Sequence, residues 1–223
     1  MALGGVAALW VSGIPNPVPE LLAILFWLLA NMLGEVLWLP APRGRGYLSM
    51  ATAANFASVL ILPVPMAVLA TALAGVFVDV AFRRRRWYQV LFNFGMCCIA
   101  VAIASRVFAA LGGVRGDAEE LLSPLKVQAL ALSAVTYFLL NTWLVSGAIA
   151  LARKQPVRRI WRTTFAFPYA LLGSAVLLLL GFFLAVLFLS WGYMSIFAAA
   201  IVIYFVRDMY VLYVAEQERR IAV

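Results

Sequence analysis

Long apolar segments, separated by short stretches rich in proline, glycine or arginine, make up most of this chain. The segments contain about 16 to 28 residues and lack the strict alternation that is typical of membrane β-strands. Because backbone amides in lipid must be hydrogen-bonded within the protein, these segments predict an all-α, polytopic bundle of transmembrane helices. We expect seven spans, within a range of six to eight, at 21–39, 47–62, 66–82, 87–111, 124–152, 163–189 and 195–214.

The pattern divides the chain into three parts. Residues 1–18 form a short apolar segment that we interpret as a partial helix, because 1–14 reaches only about half of a bilayer at ~1.5 Å per residue. Whether this segment also spans the membrane stays open, and an eighth span would follow if it does. Residues 19–214 form the helical bundle, and 215–223 form a polar tail.

Basic residues predict the orientation of the bundle. Four adjacent arginines, Arg83 to Arg86, cannot lie in hydrocarbon and are typical of a cytoplasmic loop. Alternation of spans then places the 39–47 loop, the 153–162 loop and the C-terminus on the same side. The sequence therefore predicts a multi-pass protein of a bacterial inner membrane with a cytoplasmic C-terminus. The residues expected to set this topology and contact lipid headgroups are Arg83, Arg84, Arg85, Arg86, Arg158, Arg159 and Arg162.

Composition supports a membrane protein and argues against several other classes. The chain is 66% hydrophobic, with a mean hydropathy of +1.02, well above the usual level of soluble domains. Its net charge of +8 lies mostly beside apolar segments, so we predict no nucleic-acid partner. The sequence has no histidine, no nucleotide-binding loop and no metal-ligand cluster. We therefore predict no enzymatic activity, no cofactor and no metal site.

Polar residues within the predicted spans are the candidate functional residues, because polar groups in lipid are costly. Several of them lie near the cytoplasmic ends of their helices and could meet there. They could fix the packing through interhelical hydrogen bonds, or they could line a ligand pocket or an ion path. Asp79 lies one helical turn from Arg83, so we expect these two to pair. The candidate ligand-binding residues are Asn31, Glu35, Asn55, Asn93, Tyr137 and Asn141.

Part of the chain resembles a known membrane segment. The run from Leu48 to Gly113 contains a small-residue helix, a proline turn, a basic loop, Phe92–Asn93 and a closing Gly112–Gly113. This order is similar to that of the membrane domain found ahead of bacterial HD-GYP and GGDEF signalling domains. The later segments around Asn141 and Trp161 look like that family too.

The resemblance implies a sensor-like membrane domain that supplies input to cyclic-dinucleotide signalling. The sequence itself contains neither an HD dyad nor a GGDEF motif, so the chain is a module of a longer protein or acts alone. Our leading hypothesis is a non-catalytic module that senses a ligand or a partner. A structural or accessory subunit of a membrane complex is one alternative. A solute-binding transporter component is another, since 48–82 also looks loosely like the substrate-binding subunits of vitamin uptake transporters.

The partners expected from the sequence are membrane lipids, with a membrane-protein partner or a second copy of the chain as further possibilities. The polar tail, 215–223, would lie in the cytoplasm. A C-terminal helix would face the cytoplasm and transmit a response or dock on another protein.

Overall fold

The computed structural model describes residues 19–40, 47–166 and 168–222. Within these ranges the chain is helical apart from one short antiparallel hairpin, so the all-α prediction is confirmed. The short segment 1–18 and the arginines of the 39–47 loop lie outside the described residues. The elements are α1 (Pro19–Val36), β1 (Trp38–Pro40), β2 (Tyr47–Ser49), α2 (Ala51–Ile61), α3 (Val64–Ala81), α4 (Trp87–Ala110), α5 (Ala118–Leu122), α6 (Val127–Arg153), α7 (Val157–Thr164), α8 (Pro168–Trp191) and α9 (Ser195–Ala222).

Four helical segments among the described residues are long and apolar enough to cross a membrane. They are Val64–Ala81, Trp87–Ala110, Pro124–Arg153 and Ala170–Met194. Two further apolar helices, α1 and α2, are shorter. These findings confirm a bundle of apolar helices, while the count of seven spans and the side of the C-terminus stay predictions.

The short helix α2 lies at the centre of the bundle. Ten of its eleven residues are buried, and α1, α3, α4 and α8 all pack against it. Two glycines allow this close approach. A Cβ atom on Gly34 of α1 would lie 2.8 Å from the Cα of Ala51, and one on Gly181 of α8 would lie 2.5 Å from the carbonyl oxygen of Ala53. Larger side chains at these positions would push the helices apart.

The remaining helices surround this centre. The helices α1, α3, α4 and α6 pack in a row, each against the next, and α7 packs on α6. The last helix, α9, packs mainly on α8 and on β1, and most of its described side chains are exposed. The core is rich in alanine, which lets the helices come close together.

The helix predicted at 47–62 is shorter than expected. Residues Tyr47–Ser49 form β2, which pairs with β1, and the helix begins only at Ala51. The ladder satisfies backbone groups that a helical turn would otherwise satisfy. An extended residue advances about 3.3 Å against about 1.5 Å in a helix, so the segment reaches much further than a helix of equal length.

Three other boundaries in the second half of the chain were wrong. The predicted loop at 153–162 contains helix α7, which follows Pro156. The helix predicted to begin at 163 begins at Pro168, because proline is well suited to a first helical position and disfavoured inside a helix. The last helix continues to Ala222, so most of the expected polar tail is helical.

Candidate functional site

Four charged residues and one amide form a connected group at one end of the bundle. We call this group the charge lattice: Glu35, Asp79, Arg83, Arg85 and Asn93. The Arg83 guanidinium lies 2.8 Å from a Glu35 carboxylate oxygen and 3.1 Å from an Asp79 oxygen. It also donates to the backbone carbonyl of Glu35 at 2.7 Å. Asp79 is 1% exposed and accepts a further hydrogen bond of 2.6 Å from the Asn93 amide. The lattice therefore joins α1, α3 and α4.

The turn between α3 and α4 positions the arginines of the lattice. The backbone N–H groups of Arg83 and Arg85 donate to carbonyls in the last turn of α3, and Arg84 adopts a positive φ of 48°. Arg83 is thereby directed inward, with 13% of its side chain exposed, while Arg85 reaches Asp79 at 3.3 Å from the surface. Arg84 and Arg86 are exposed. The arginine run thus combines one inward guanidinium, Arg83, with a surface guanidinium that still pairs with Asp79 and two further exposed charges.

The charge lattice balances two carboxylates against two guanidinium groups, and each of these charged side chains contacts at least one opposite charge. The expected pairing of Asp79 with Arg83 is confirmed. The contact between Arg83 and Glu35 was not predicted, because these residues are 48 positions apart. Two of the candidate residues, Glu35 and Asn93, belong to this group, where Glu35 pairs with Arg83 and Asn93 donates to Asp79.

A second polar contact links α2 to α6. The Asn55 amide donates a hydrogen bond of 3.0 Å to the Tyr137 hydroxyl, and both side chains are buried. Asn141 lies one turn beyond Tyr137 but is only partly buried, and none of the described side chains hydrogen-bonds to it. Both residues lie on α6, one turn apart, and their role in ligand binding stays a prediction.

A third polar group lies on α1. Asn31 is 0% exposed, and its amide N–H₂ group donates to the Trp27 carbonyl at 2.6 Å and to the Ser58 hydroxyl at 3.1 Å. The Asn31 carbonyl oxygen Oδ1 and the indole nitrogen Nε1 of Trp27 are both buried and have no hydrogen-bond partner among the described residues. Sequence reasoning included Asn31 but missed Trp27, although their spacing of four residues places them on one helical face.

Trp27 also packs within a group of four aromatic rings. We call them the aromatic cluster: Phe26, Trp27, Phe188 and Tyr193. Phe26 lies 5.4 Å from Trp27, 4.9 Å from Phe188 and 5.5 Å from Tyr193, measured between ring centroids. Trp27 and Phe188 are 5.3 Å apart. The cluster extends from Trp27, which is 2% exposed, to Tyr193, which is 46% exposed. It therefore connects the buried polar atoms with the surface of the bundle.

A basic surface lies on the short helix α7. Arg158, Arg159 and Arg162 are exposed, while Ile160 on the same helix is buried. Trp161 fixes α7 on α6, since its indole N–H donates to the Thr142 hydroxyl at 3.0 Å. These exposures are compatible with the expected headgroup contacts, which stay a prediction. Within the described ranges, no group of three or more Cys, Asp and Glu residues could hold a metal ion.

Comparison with known proteins gives a single assignment. No curated protein and no solved structure matches the chain. A model of the MASE9 family matches residues 24–212, which include all six candidate ligand-binding residues. MASE families are membrane-associated, sensory and non-catalytic domains. Since the match covers well over half of the sequence, the chain belongs to the MASE9 family of membrane-associated sensory domains.

Proposed function

We propose that this chain is a multi-pass input module of a bacterial inner membrane, which recognises a small or lipidic ligand inside the helical bundle. The response leaves the bundle through α9 and reaches a cytoplasmic partner or output domain. Membership of a sensory family supports this role. The resemblance of the sequence to domains ahead of HD-GYP and GGDEF proteins favours cyclic-dinucleotide signalling as the output.

The observation that carries the proposal is the charge lattice. It ties α1 to the turn between α3 and α4 through Arg83, which pairs with Glu35 and donates to the Glu35 backbone carbonyl on one side and pairs with Asp79 on the other. Buried ion pairs hold a specific arrangement because breaking one leaves an uncompensated charge. A ligand can drive a response only if its affinity differs between two arrangements of the protein. A ligand that binds more tightly when α1 has shifted would therefore favour rearranged ion pairs.

The response would pass through α9, which packs against few other elements of the bundle. This helix of 28 residues would extend about 42 Å, and it packs mainly on α8 and β1. Its exposed side chains leave most of its surface to lipid or to a partner. A change in the position of α8 or of the hairpin would therefore be amplified at the far end of α9.

Native mass spectrometry of the full chain, extracted gently from its own membrane, tests the proposal first. We expect a retained small molecule in the wild-type protein and its loss in Asn93→Ala, which removes the amide bonded to Asp79. Thr163→Ala is the control, because this hydroxyl donates only to backbone carbonyls of its own helix. Retention of a partner protein instead of a small molecule would favour an accessory subunit.

Hydrogen exchange supplies the second test. An organic extract of the native membrane is added to delipidated protein, and amide exchange along α9 is measured. We expect the extract to change exchange in α9 of the wild-type chain and to leave Asn93→Ala unchanged. Identical exchange with and without the extract in the wild-type chain would contradict a sensory role for the bundle.

A further inference from the structure

Two buried polar atoms on α1 lack partners and complement one another. The indole N–H of Trp27 is a donor, and the carbonyl oxygen Oδ1 of Asn31 is an acceptor. Both residues are at least nine-tenths buried, at 2% and 0% exposure. The residues are one helical turn apart, and the Asn31 amide already donates to the Trp27 carbonyl. Most buried polar groups in proteins have a hydrogen-bond partner, so an orphan donor one turn from an orphan acceptor calls for an explanation.

The chemistry of the missing partner follows from the two atoms. It must accept one hydrogen bond from an N–H group and donate one to a carbonyl oxygen. A carboxylate offers only acceptors and an ammonium group offers only donors, so neither would satisfy both atoms. A charged group would also be costly in this apolar interior. A neutral hydroxyl meets both requirements, and a single buried water molecule is the simplest group that does so.

The aromatic cluster shows what could be attached to such a hydroxyl. Phe26 and Phe188 lie between the buried Trp27 and the half-exposed Tyr193, with centroid separations of 4.9 to 5.6 Å along the way. Trp27 meets Phe26 and Phe188 edge to face. Aromatic rings favour this arrangement and offset stacking, so a flat ring could replace or intercalate among these contacts. The cluster therefore favours a ring-bearing ligand that enters from the bilayer beside Tyr193.

We propose that Trp27 and Asn31 bind the hydroxyl of a neutral, ring-bearing compound dissolved in the bilayer, of the phenol or hydroquinone class. This inference rests on the proposed sensory function and names the ligand of that function. Trp27 donates to the hydroxyl oxygen, and the hydroxyl donates to Asn31. A quinone lacks the hydroxyl proton and leaves Asn31 Oδ1 unpaired. The site therefore discriminates a hydroquinone from its quinone by binding alone, without any electron transfer within the protein.

The test measures the equilibrium binding of three probes to the full chain in nanodiscs of neutral phospholipid, by native mass spectrometry. Samples are prepared without oxygen so that the hydroquinone is not oxidised. The probes are a hydroquinone with a short alkyl chain, its dimethyl ether and its quinone. We expect the hydroquinone to bind about tenfold more tightly than the ether and the quinone, because each of these leaves the Asn31 acceptor unpaired.

Variants test which atom causes this preference. Asn31→Leu removes the acceptor, so it should lose most of the preference for hydroquinone. Trp27→Phe removes a donor that the oxygens of all three probes can use but retains a ring, so it should weaken the binding of all three and leave the preference in place. Thr163→Ala should retain both the affinity and the preference.

Three results would overturn the proposal: no binding of the hydroquinone, equal affinity for the hydroquinone and its ether, or an unchanged preference in Asn31→Leu. The first result would mean that a structural water is the partner of the two atoms. Failure of this ligand proposal can be distinguished from failure of the proposed sensory role. If the membrane extract still changes hydrogen exchange in α9 while no hydroquinone binds, the bundle is a sensor of another ligand class.

Discussion

The charge lattice and the Trp27–Asn31 pair both include residues of helix α1, and they are built in opposite ways. Asn31 and Glu35 are one turn apart on α1. Glu35 lies 2.8 Å from Arg83 and joins a lattice that extends to α3 and α4, in which every charge has a counter-charge. Asn31 retains an acceptor without a partner, one turn from an indole N–H in the same state. Polar residues inside a membrane bundle are therefore not equally good candidates for binding. The unsatisfied ones have the most to gain from a ligand.

The two regions are also connected. Gly34 lies between Asn31 and Glu35 in the sequence and brings α1 against the backbone at Ala51. This contact and the Arg83 ion pair hold the same end of α1. A ligand that displaces rings at Trp27 would tilt or rotate α1. This movement would change the contacts of Glu35 with Arg83 in the lattice. Substitutions in either region should therefore have separable effects on stability and on binding.

The largest effect is expected for Asp79→Leu. It removes the acceptor shared by Arg83, Arg85 and Asn93 and leaves buried cationic charge in excess. Loss of one partner of a buried ion pair typically costs about 3–5 kcal/mol. We expect a fall of this size in the free energy of unfolding, measured by denaturant titration in bicelles.

Asp117→Ala is the matched control for that substitution. Asp117 caps the short helix α5, where its carboxylate accepts from the backbone N–H of Glu119 at 2.8 Å on the exposed side of the bundle. Loss of such a cap costs about 1 kcal/mol. Equal losses for the two aspartates would show that the lattice does not stabilise the bundle, and the contrast between the two regions of α1 would fail.

A smaller effect is expected for Gly34→Ala, which tests the link between the two regions. The new Cβ would lie 2.8 Å from the backbone of Ala51, so α1 must move away from α2. Overpacking of this kind costs about 1–3 kcal/mol. Gly75→Ala is the control, since nothing lies within 4 Å of its Cβ position. Alanine there should stabilise α3 by up to about 1 kcal/mol. Matching melting temperatures for both variants would contradict a tight contact at Gly34.

Local features were predictable from the sequence. The long helices follow from their apolar segments, and the pairing of Asp79 with Arg83 follows from a spacing of four residues. Helix α7 could have been predicted as well. Val157, Ile160, Trp161 and Thr164 recur at helical spacing beside the three exposed arginines, but the density of charge suggested a loop.

The candidate site was only partly predictable, because its contacts depend on how distant helices pack. Glu35 and Arg83 are 48 residues apart, and Asn55 and Tyr137 are 82 apart. Nothing local determines which polar side chains meet across such distances. The sequence also could not predict that the indole N–H of Trp27 is unpaired. A buried indole N–H usually has a hydrogen-bond partner, and only the packed structure shows that this one lacks a partner among the described residues.

The smallest effect concerns the contact between Asn55 and Tyr137, which combines features of both regions: it is buried like the Trp27–Asn31 pair and mutually satisfied like the lattice. A double-mutant cycle with Asn55→Leu and Tyr137→Phe isolates its energy. Interhelical hydrogen bonds in membranes contribute about 0.6 kcal/mol on average, so we expect a coupling near that value in bicelle unfolding measurements. A coupling of about 2 kcal/mol or more would exceed what one neutral hydrogen bond supplies. Asn55 and Tyr137 would then be coupled through more than their own hydrogen bond, and α6 would have to be counted with the helices that the polar contacts hold together.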